Sequence, residues 1–264
     1  MKKIPVRHTG AFSIRDLATL TAGKHLVQEL HRHSFFYVLV LKKGRGEHQI
    51  DFISYPVSDY SVFFMRPGQV HQLTLKNGCT GFLMEFTDTF KVNNKPFYQL
   101  NADGFKRLYS ILTDIFQEYS TKQERYQEVI YSSLNIFFIE LLRQSRDPQP
   151  LSAGSSEYRQ ERLEELQALI ETHISTHKQV ADYAEKLNLS GYQLNAITRA
   201  TLGKTCSEVI TDHIILEAKR QLLATTSQIN QIAWDLGYED VSYFIRFFKK
   251  HTGHSPEAFR QKFK

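Results

Sequence analysis

Apolar residues in the first part of the chain recur in short runs with the period of a β-strand. Residues 36–41 form an apolar run of aromatic and β-branched side chains, and His48, Ile50 and Phe52 alternate with polar neighbours. Similar segments recur at intervals of about ten residues, with turn residues such as Pro67-Gly68 between them. This spacing predicts a β-sandwich or barrel over about residues 1–95.

From residue 103 onward the apolar positions adopt the three- and four-residue spacing of helices. Two helices are predicted within 103–144, as an antiparallel pair that packs either against the barrel, where it would simply cover an open end, or against another subunit. The second helix places four apolar side chains on one stripe, and we predict that this stripe forms the twofold interface of a homodimer. The four residues are Ile130, Leu134, Phe137 and Leu141.

Residues 145–157 separate the two halves of the chain. This segment contains two prolines, a glycine and four serines, a composition typical of a linker. Apolar positions at helical spacing then predict seven short helices over 158–264. The expected fold class is therefore α+β in two domains, with a β-barrel and helix pair over 1–144 and an all-α domain over 158–264.

The second half contains an internal duplication. Ala184-x-x-Leu187 recurs as Ala233-x-x-Leu236 after 49 residues, and five more positions recur after 50 residues. Each copy reads as a helix, a tight turn, a second helix, and then a glycine and a hydroxyl residue that caps the next helix. Such a unit is a helix-turn-helix, which places its second helix in the major groove of DNA. The five positions are Leu194, Ile197, Arg199, Gly203 and Thr205, matched by Phe244, Phe247, Lys249, Gly253 and Ser255.

The second copy carries a longer signature. Residues 232–260, IAWDLGYEDVSYFIRFFKKHTGHSPEAFR, resemble the signature of the AraC/XylS transcription regulators. Leu202-Gly203-Lys204-Thr205 and the helix through Glu217-Ala218-Lys219 resemble the first module and the connecting helix of that family. Residues 31–37 and 66–71 resemble the cupin-like sensor barrel that precedes this unit in many members. The resemblance implies a sensor barrel, a helix pair, a linker and a domain with two helix-turn-helix motifs.

By position in the family motif, the second recognition helix contacts base edges through Val241, Ser242, Ile245 and Arg246. Arg246 can pair bidentately with guanine, whereas Val241 and Ile245 suit thymine methyl groups. The backbone amides at Ser255 and two basic side chains are expected to hold phosphates. The basic residues are Lys249 and Lys250, and the aromatic residues expected in the core are Tyr243, Phe244, Phe247 and Phe248.

The first recognition helix departs from the family habit. Gly191 and Ala196 stand where the family usually has bulkier polar or basic residues, so we expect this module to anchor more than to specify. The DNA contacts expected from it are Tyr192, Asn195, Arg199, Lys204 and Thr205.

Three histidines are the candidate effector-binding residues. His31 and His33 are two positions apart on one predicted strand and share a face, and His71 follows the Pro67-Gly68 turn closely enough to join them. Three converging histidines could bind zinc or iron. Metal-binding cupins, by resemblance, carry a glutamate shortly after the paired histidines, but here those positions are residues 36–38, Phe, Tyr and Val. We therefore expect a small-ligand pocket with no metal and no cofactor, and structural hydrogen bonding remains an alternative.

Composition adds limits to this interpretation. The 33 Lys and Arg residues against 28 Asp and Glu give a formal charge of +5, which permits DNA binding without requiring it. Cys79 and Cys206 are too few for a disulfide framework. No apolar run is long enough to span a membrane, and no hydrophobic region follows Met1-Lys2-Lys3, so a cytoplasmic location is expected.

The sequence thus predicts a DNA-binding transcriptional regulator controlled by a small-molecule effector, with operator DNA, a second copy of the chain and RNA polymerase as candidate partners. Two alternatives stay open. One is a cupin-type metalloenzyme with an appended DNA-binding domain, which the missing glutamate disfavours, so no enzymatic activity is expected. The other is a regulator whose barrel only dimerises or binds a partner protein. Activation is the expected mode of control, although the residues themselves do not decide between activation and repression.

Overall fold

The structure is a computed structural model that describes residues 12–87, 90, 95–144 and 153–263, with only the backbone described over 153–157. The chain divides into two compact units, Met1–Gln149 and Pro150–Lys264. Among the described residues, no helix is both long and apolar enough to cross a lipid bilayer.

The first unit is built on two antiparallel sheets that face each other. The five-stranded sheet has the order β1-β8-β3-β6-β9, and the four-stranded sheet has the order β2-β7-β4-β5. A short helix, α1 (Leu17–Thr21), lies between β1 and β2. The strands are β1 Phe12–Asp16, β2 Leu26–Arg32, β3 Phe36–Lys43, β4 Gly46–Ile50, β5 Ile53–Val57, β6 Ser61–Met65, β7 Val70–Leu75, β8 Thr80–Phe86 and β9 Phe97–Gln99.

The central strand β3 is apolar on both faces because both faces are covered. Leu39 and Leu41 point into the core between the two sheets. Val38 and Val40 point to the opposite side and pack in a second core with the helix pair. Successive side chains of a strand alternate between faces, so a strand that is covered twice needs a continuous apolar run. The run at 36–41 is explained by this double burial.

The helix pair covers the outer face of the five-stranded sheet. It consists of α2 (Ala102–Thr121) and α3 (Tyr126–Gln144). Asn101 caps α2, and its side chain accepts a hydrogen bond from the backbone N–H of Gly104 at 2.8 Å. The apolar sides of both helices share one core with β3, β6 and β8. The pair therefore lies against a sheet face and not over an open barrel end.

The stripe predicted to form a dimer interface is part of this core. Ile130, Leu134, Phe137 and Leu141 are between 0% and 3% exposed within a single chain. They pack against the sheet and α2, so their apolar surface is not available to a second subunit. The prediction of an interface at these four residues is wrong, because an apolar stripe on a helix has the same pattern whichever surface covers it. The exposed apolar side chains of α3 are Val129, Tyr131, Ile136 and Ile139.

One predicted strand ends earlier than its alternation suggests. Strand β4 stops at Ile50, which pairs with Ile53 of β5, and Asp51 and Phe52 form the two-residue turn of the hairpin. Both turn residues have positive φ, 48° for Asp51 and 70° for Phe52. The carboxylate of Asp51 accepts a hydrogen bond from the Gln69 amide at 2.6 Å, which ties the turn to the start of β7. Phe52 is thus a turn residue and not an inward-facing strand position.

In its described residues the second unit is helical. The first helix begins at Ala153, inside the segment predicted as a linker, while residues 145–152 of that segment lie outside the described residues. The coarse fold prediction, antiparallel sheets followed by helices, is confirmed. The helices are α4 Ala153–His173, α5 Val180–Lys186, α6 Gly191–Leu202, α7 Cys206–Ala224, α8 Ile229–Asp235, α9 Val241–Thr252 and α10 Pro256–Phe263.

We predict that Leu134→Ala destabilises the first unit by about 2–5 kcal/mol, because it removes a buried side chain and leaves a cavity. Ser132→Ala is the matched control on the same helix: Ser132 is exposed, and its truncation should change stability by no more than about 0.5 kcal/mol. Calorimetry of the full chain measures the loss. Sedimentation of the folded Leu134→Ala variant should show the mass of the wild type, and a halved mass without any loss of stability would instead restore the interface prediction.

Candidate nucleic-acid interface and histidine cluster

The two predicted repeats form two equivalent helix pairs. Helix α5 becomes α8 when both of its ends are shifted by 49 residues, and α6 becomes α9 when both ends are shifted by 50. Gly203 and Gly253 end the second helix of each pair in the left-handed conformation, with φ of 69° and 79°. This conformation suits glycine, which lacks a Cβ atom. The duplication read from the sequence is therefore present in the structure element by element.

The turn inside each pair uses a left-handed residue at the same position. Gly237 has φ of 71° after α8, as predicted, and Asn188 has φ of 53° at the equivalent position after α5. Asparagine tolerates this conformation better than most side chains. The cap predictions are also confirmed, since the hydroxyl of Thr205 accepts from the N–H of Glu208 and that of Ser255 accepts from the N–H of Ala258, both at 3.2 Å.

The second recognition helix, α9, has one buried and one exposed face. Phe244 and Phe248 are fully buried in the core of the unit, as expected. Asp240 caps the helix by accepting hydrogen bonds from the N–H groups of Ser242 and Tyr243 at 2.8 and 3.1 Å. Tyr243 is 53% exposed, so its expected place in the core is wrong. The predicted base-contacting residues Ser242 and Arg246 are exposed, and Val241 and Ile245 are half-buried beside them.

Arg246 has the position and freedom that a base contact requires. Its side chain is 69% exposed, and its Nη2 lies 3.9 Å from an Asp240 carboxylate oxygen. An ion pair this long between exposed groups contributes little to stability, so it restrains the guanidinium weakly. Lys249 and Lys250 are also exposed, and neither forms an ion pair with another described residue. Helix α9 therefore presents three basic side chains to solvent, of which only Arg246 has an ion pair, and a long one.

The first recognition helix, α6, presents a different surface. Tyr192 is 85% exposed and Arg199 is exposed near the end of the helix. Asn195 is held inside the module: its amide donates to the Gly191 carbonyl oxygen, and its side-chain oxygen accepts from the N–H of Cys206, both at 3.0 Å. The base contact predicted for Asn195 is contradicted, because both ends of its side chain have partners inside the module, one in α6 and the other at the start of α7.

The two remaining predicted contacts of the first module also have internal partners. Lys204 forms an ion pair with Asp212 at 2.6 Å, and hydrogen bonding to this carboxylate raises the pKa of Lys204. The Thr205 hydroxyl donates to a Glu208 carboxylate oxygen at 2.7 Å. The backbone and side-chain hydrogen bonds from Thr205 lower the pKa of Glu208. Thr205 thus caps the start of α7, and Lys204 is paired with a carboxylate further along the same helix.

One exposed aromatic residue was missed. Trp234 in α8 is 53% exposed, and it is the chain's single tryptophan. It lies in the helix-turn-helix that contains Gly237. Because its side chain is exposed, packing of the core does not explain a tryptophan at this position. The signal was available in the sequence, because the apolar spacing of α8 is already met by Ile232, Ala233 and Leu236, which are buried.

The predicted histidines converge between the two sheets. The Nε2 atoms of His31 and His33 are 3.1 Å apart, those of His71 and His31 are 3.1 Å apart, and those of His71 and His33 are 3.0 Å apart. His71 is fully buried on β7 and His31 is 6% exposed at the end of β2. His33 lies just beyond the end of β2 and is partly exposed, so it is not on the strand that was predicted to carry it.

A fourth histidine supports this cluster. His48 on β4 is fully buried, and its Nε2 lies 2.9 Å from Nδ1 of His71. Its own Nδ1 is buried and has no hydrogen-bond partner among the described residues. The sequence pattern marked His48 as an alternating strand position, so an inward-facing histidine was available to the prediction and was not used.

Burial favours the neutral form of three histidines in the cluster, His33, His48 and His71. Burial lowers the pKa of His33 to about 4 and that of His48 to about 3, with the neighbouring His31 adding to both shifts. Burial also lowers the pKa of His71 strongly, reinforced by the histidines around it. Neutral imidazoles keep a lone pair on one ring nitrogen. Within the part of the chain described, His31, His33 and His71 form a group of possible metal ligands that includes no carboxylate or thiolate.

Comparison with known proteins agrees with this geometry. Residues 183–262 match a family described as a helix-turn-helix domain. An uncharacterised helix-turn-helix transcriptional regulator of Bacillus subtilis, YfiF, is 24% identical over 89% of this chain and 79% of that protein. The transcriptional activator RhaR of Yersinia pestis is 23% identical over 88% of this chain and 84% of its own length. The C-terminal domain of the response regulator yesN from Fusobacterium nucleatum is 30% identical over 38% of this chain and 98% of that chain, with a TM-score of 0.36.

The second unit, with two helix-turn-helix modules joined through α7, is the DNA-binding part of a transcriptional regulator. The similarity to helix-turn-helix transcriptional regulators over most of the chain agrees with the resemblance of its sequence signature to the AraC/XylS regulators.

The turn of the second module is fixed by a close backbone approach. A Cβ atom added at Gly237 would lie 1.6 Å from the carbonyl oxygen of Ser175, in the loop between α4 and α5. Lys178 bridges the same place, since its ammonium donates to the carbonyl oxygens of Ser175 and Gly237 at 3.2 and 2.8 Å. The absent side chain therefore lets the second module dock on the first.

We predict that Gly237→Ala destabilises the second unit by more than about 3 kcal/mol, because it adds a steric collision to the conformational cost of a left-handed alanine. Gly203→Ala is the matched control: it has a similar φ, but no atom lies within 4 Å of the added Cβ, so only about 1–2 kcal/mol is expected. Trp234 fluorescence during urea unfolding reports on this unit alone. Equal losses in the two variants would contradict the proposed collision.

Proposed function

We propose that this protein is a one-component regulator in which the first unit, a cupin-like sandwich over 1–144, receives an effector and the seven-helix domain over 158–264 binds operator DNA. The observation that carries the proposal is the duplicated helix pair with its exposed recognition helices. Two such helices on one polypeptide can enter successive segments of a major groove. Double-stranded DNA of defined sequence is then the partner of the second unit.

Base recognition is assigned mainly to α9. Arg246 presents an exposed guanidinium that is held only by its long ion pair with Asp240, and its paired N–H groups fit the O6 and N7 acceptors of guanine. Ser242 can donate or accept at a neighbouring base, and the half-buried Val241 and Ile245 offer apolar contact to thymine methyl groups. Specificity therefore arises from the second module more than from the first.

Phosphate contacts are assigned to residues that surround the recognition helices. Lys249, Lys250 and the backbone at Ser255 lie at the end of α9 and the start of α10 and supply positive charge there. In the first module Tyr192 and Arg199 remain exposed, and Lys204 has to exchange Asp212 for a phosphate. These contacts fix the register on DNA and explain an anchoring role for the first module.

The first unit is assigned the control function. Its histidine cluster is a concentration of polar groups between two apolar sheets, which costs desolvation and is typical of a binding site. The relative RhaR is named as an activator, which supports activation and contact with RNA polymerase as the mode of action. A cytoplasmic location follows from this role. An appended enzyme remains the weaker alternative, because the cluster lacks a carboxylate that could serve as a base.

A homodimer remains part of the proposal, with a changed interface. The outer face of α3 exposes Val129, Ile136 and Ile139, whereas the stripe predicted from the sequence is buried. These three side chains lie on the solvent side of the helix pair and supply the apolar surface that a twofold contact needs.

DNA binding by selected operator fragments tests the proposal. Arg246→Ala should lose discrimination at one base pair by roughly 5–150-fold, the equivalent of about 1–3 kcal/mol, while affinity for other sequences changes little. Lys250→Ala should weaken all sequences alike and lower the slope of log affinity against log salt by about one. Lys106→Ala, an exposed lysine of the first unit, is the control and should change neither quantity. Unchanged base preference in Arg246→Ala would refute the assignment of α9 to the groove.

A further inference from the structure

The three histidine Nε2 atoms form a triangle that protons alone cannot satisfy. His31 donates its Nδ1 proton to the carbonyl oxygen of Glu29 at 2.6 Å, which makes Nε2 the lone-pair nitrogen of the neutral ring. His33 and His71 can supply at most one Nε2 proton each to the triangle. At least one of the three contacts of 3.0–3.1 Å then has no proton of its own between the two nitrogens. Such a contact is repulsive unless a cation lies between the lone pairs.

The size of the triangle fits a metal ion, and its centre is too small for a carbon atom. Zn–N bonds of about 2.0–2.1 Å at N–Zn–N angles of roughly 95–110° separate the nitrogens by roughly 3.0–3.4 Å. The observed separations of 3.0–3.1 Å lie within this range. A carbon atom needs roughly 3.5 Å from each neighbour and cannot enter between these nitrogens.

The surroundings hold the rings as metal ligands require. The backbone carbonyl of Glu29 fixes the tautomer of His31, and Nε2 of His48 contacts Nδ1 of His71 at 2.9 Å. When His71 donates its Nδ1 proton to His48, its Nε2 lone pair turns to the triangle. Partners of this kind orient ligating imidazoles and raise their basicity. His33, the partly exposed member, leaves the cluster open on the solvent side.

We propose that His31, His33 and His71 bind one divalent transition-metal ion of the zinc class, with His48 as a positioning residue and a coordination position left open on the side of His33. Three imidazoles without a carboxylate favour zinc, cobalt, nickel or copper over magnesium or calcium. In the sequence, the missing glutamate was an argument against metal binding. In the structure, it affects instead which metal ions the three histidines prefer. This proposal deepens the proposed effector function. Only the regulatory role of the site rests on that function, whereas metal binding itself does not.

Cobalt titration of the metal-free full-length protein tests the site directly, because bound Co²⁺ absorbs visible light. The wild type should bind one Co²⁺ per chain and exchange it for one Zn²⁺, and neither Mg²⁺ nor Ca²⁺ should compete. His33→Ala should raise the Kd at least 100-fold, and His48→Asn should raise it by about 10–100-fold. His25→Ala is the matched control, an exposed histidine of the same unit, and should bind as the wild type does.

Circular dichroism confirms the fold of each variant, and His33 is chosen because its partial exposure makes a folded variant attainable. Absence of a cobalt spectrum in the wild type, or binding by folded His33→Ala equal to the wild type, would overturn the proposal. Operator binding is measured on the same preparations without metal. If the protein binds no metal but still binds its operator, the proposed metal site is refuted and the proposed DNA-binding function is not affected.

Discussion

The double burial of the five-stranded sheet is the constraint on which the first unit depends. One face of β3, β6 and β8 forms the core between the sheets, and the other face forms the core with α2 and α3. Each core needs the other because the same three strands supply both. The helix pair is consequently a structural layer of the first unit, and it leaves only its outer surface for contacts with other molecules.

The same constraint explains why a histidine cluster stands out chemically. The space between the sheets is filled by residues such as Leu39, Phe63 and Leu73, which are fully buried. Imidazoles placed there are neutral because charging them without water is costly, as the lowered pKa values of His33 and His48 reflect. Neutral imidazoles in an apolar layer are able to bind a cation through their lone pairs, whereas protonated rings would repel it.

Much of the second unit could be predicted from the sequence because its signals are local. Fixed offsets, glycines at helix ends and hydroxyl caps each depend on a few neighbouring residues. The first unit was harder because its pairings are distant in the chain. Leu134 presents the same stripe to a sheet or to a second copy, and Phe52 gives no local sign of a positive φ. Asn195 illustrates a third limit, since its partner Cys206 follows eleven residues later across a turn and only the folded module reveals it.

Helix α7 joins the two modules without a break over 19 residues, a length of about 28 Å at 1.5 Å per residue. That length is close to the roughly 34 Å repeat of the DNA double helix. Each residue of an α-helix rotates the chain by about 100° about the helix axis. One residue inserted in α7 would therefore rotate the second module by about 100° relative to the first. Helix α7 therefore fixes both the distance and the relative rotation of the two modules. An operator bound by both modules has to keep its two contact segments at one spacing on one side of the duplex.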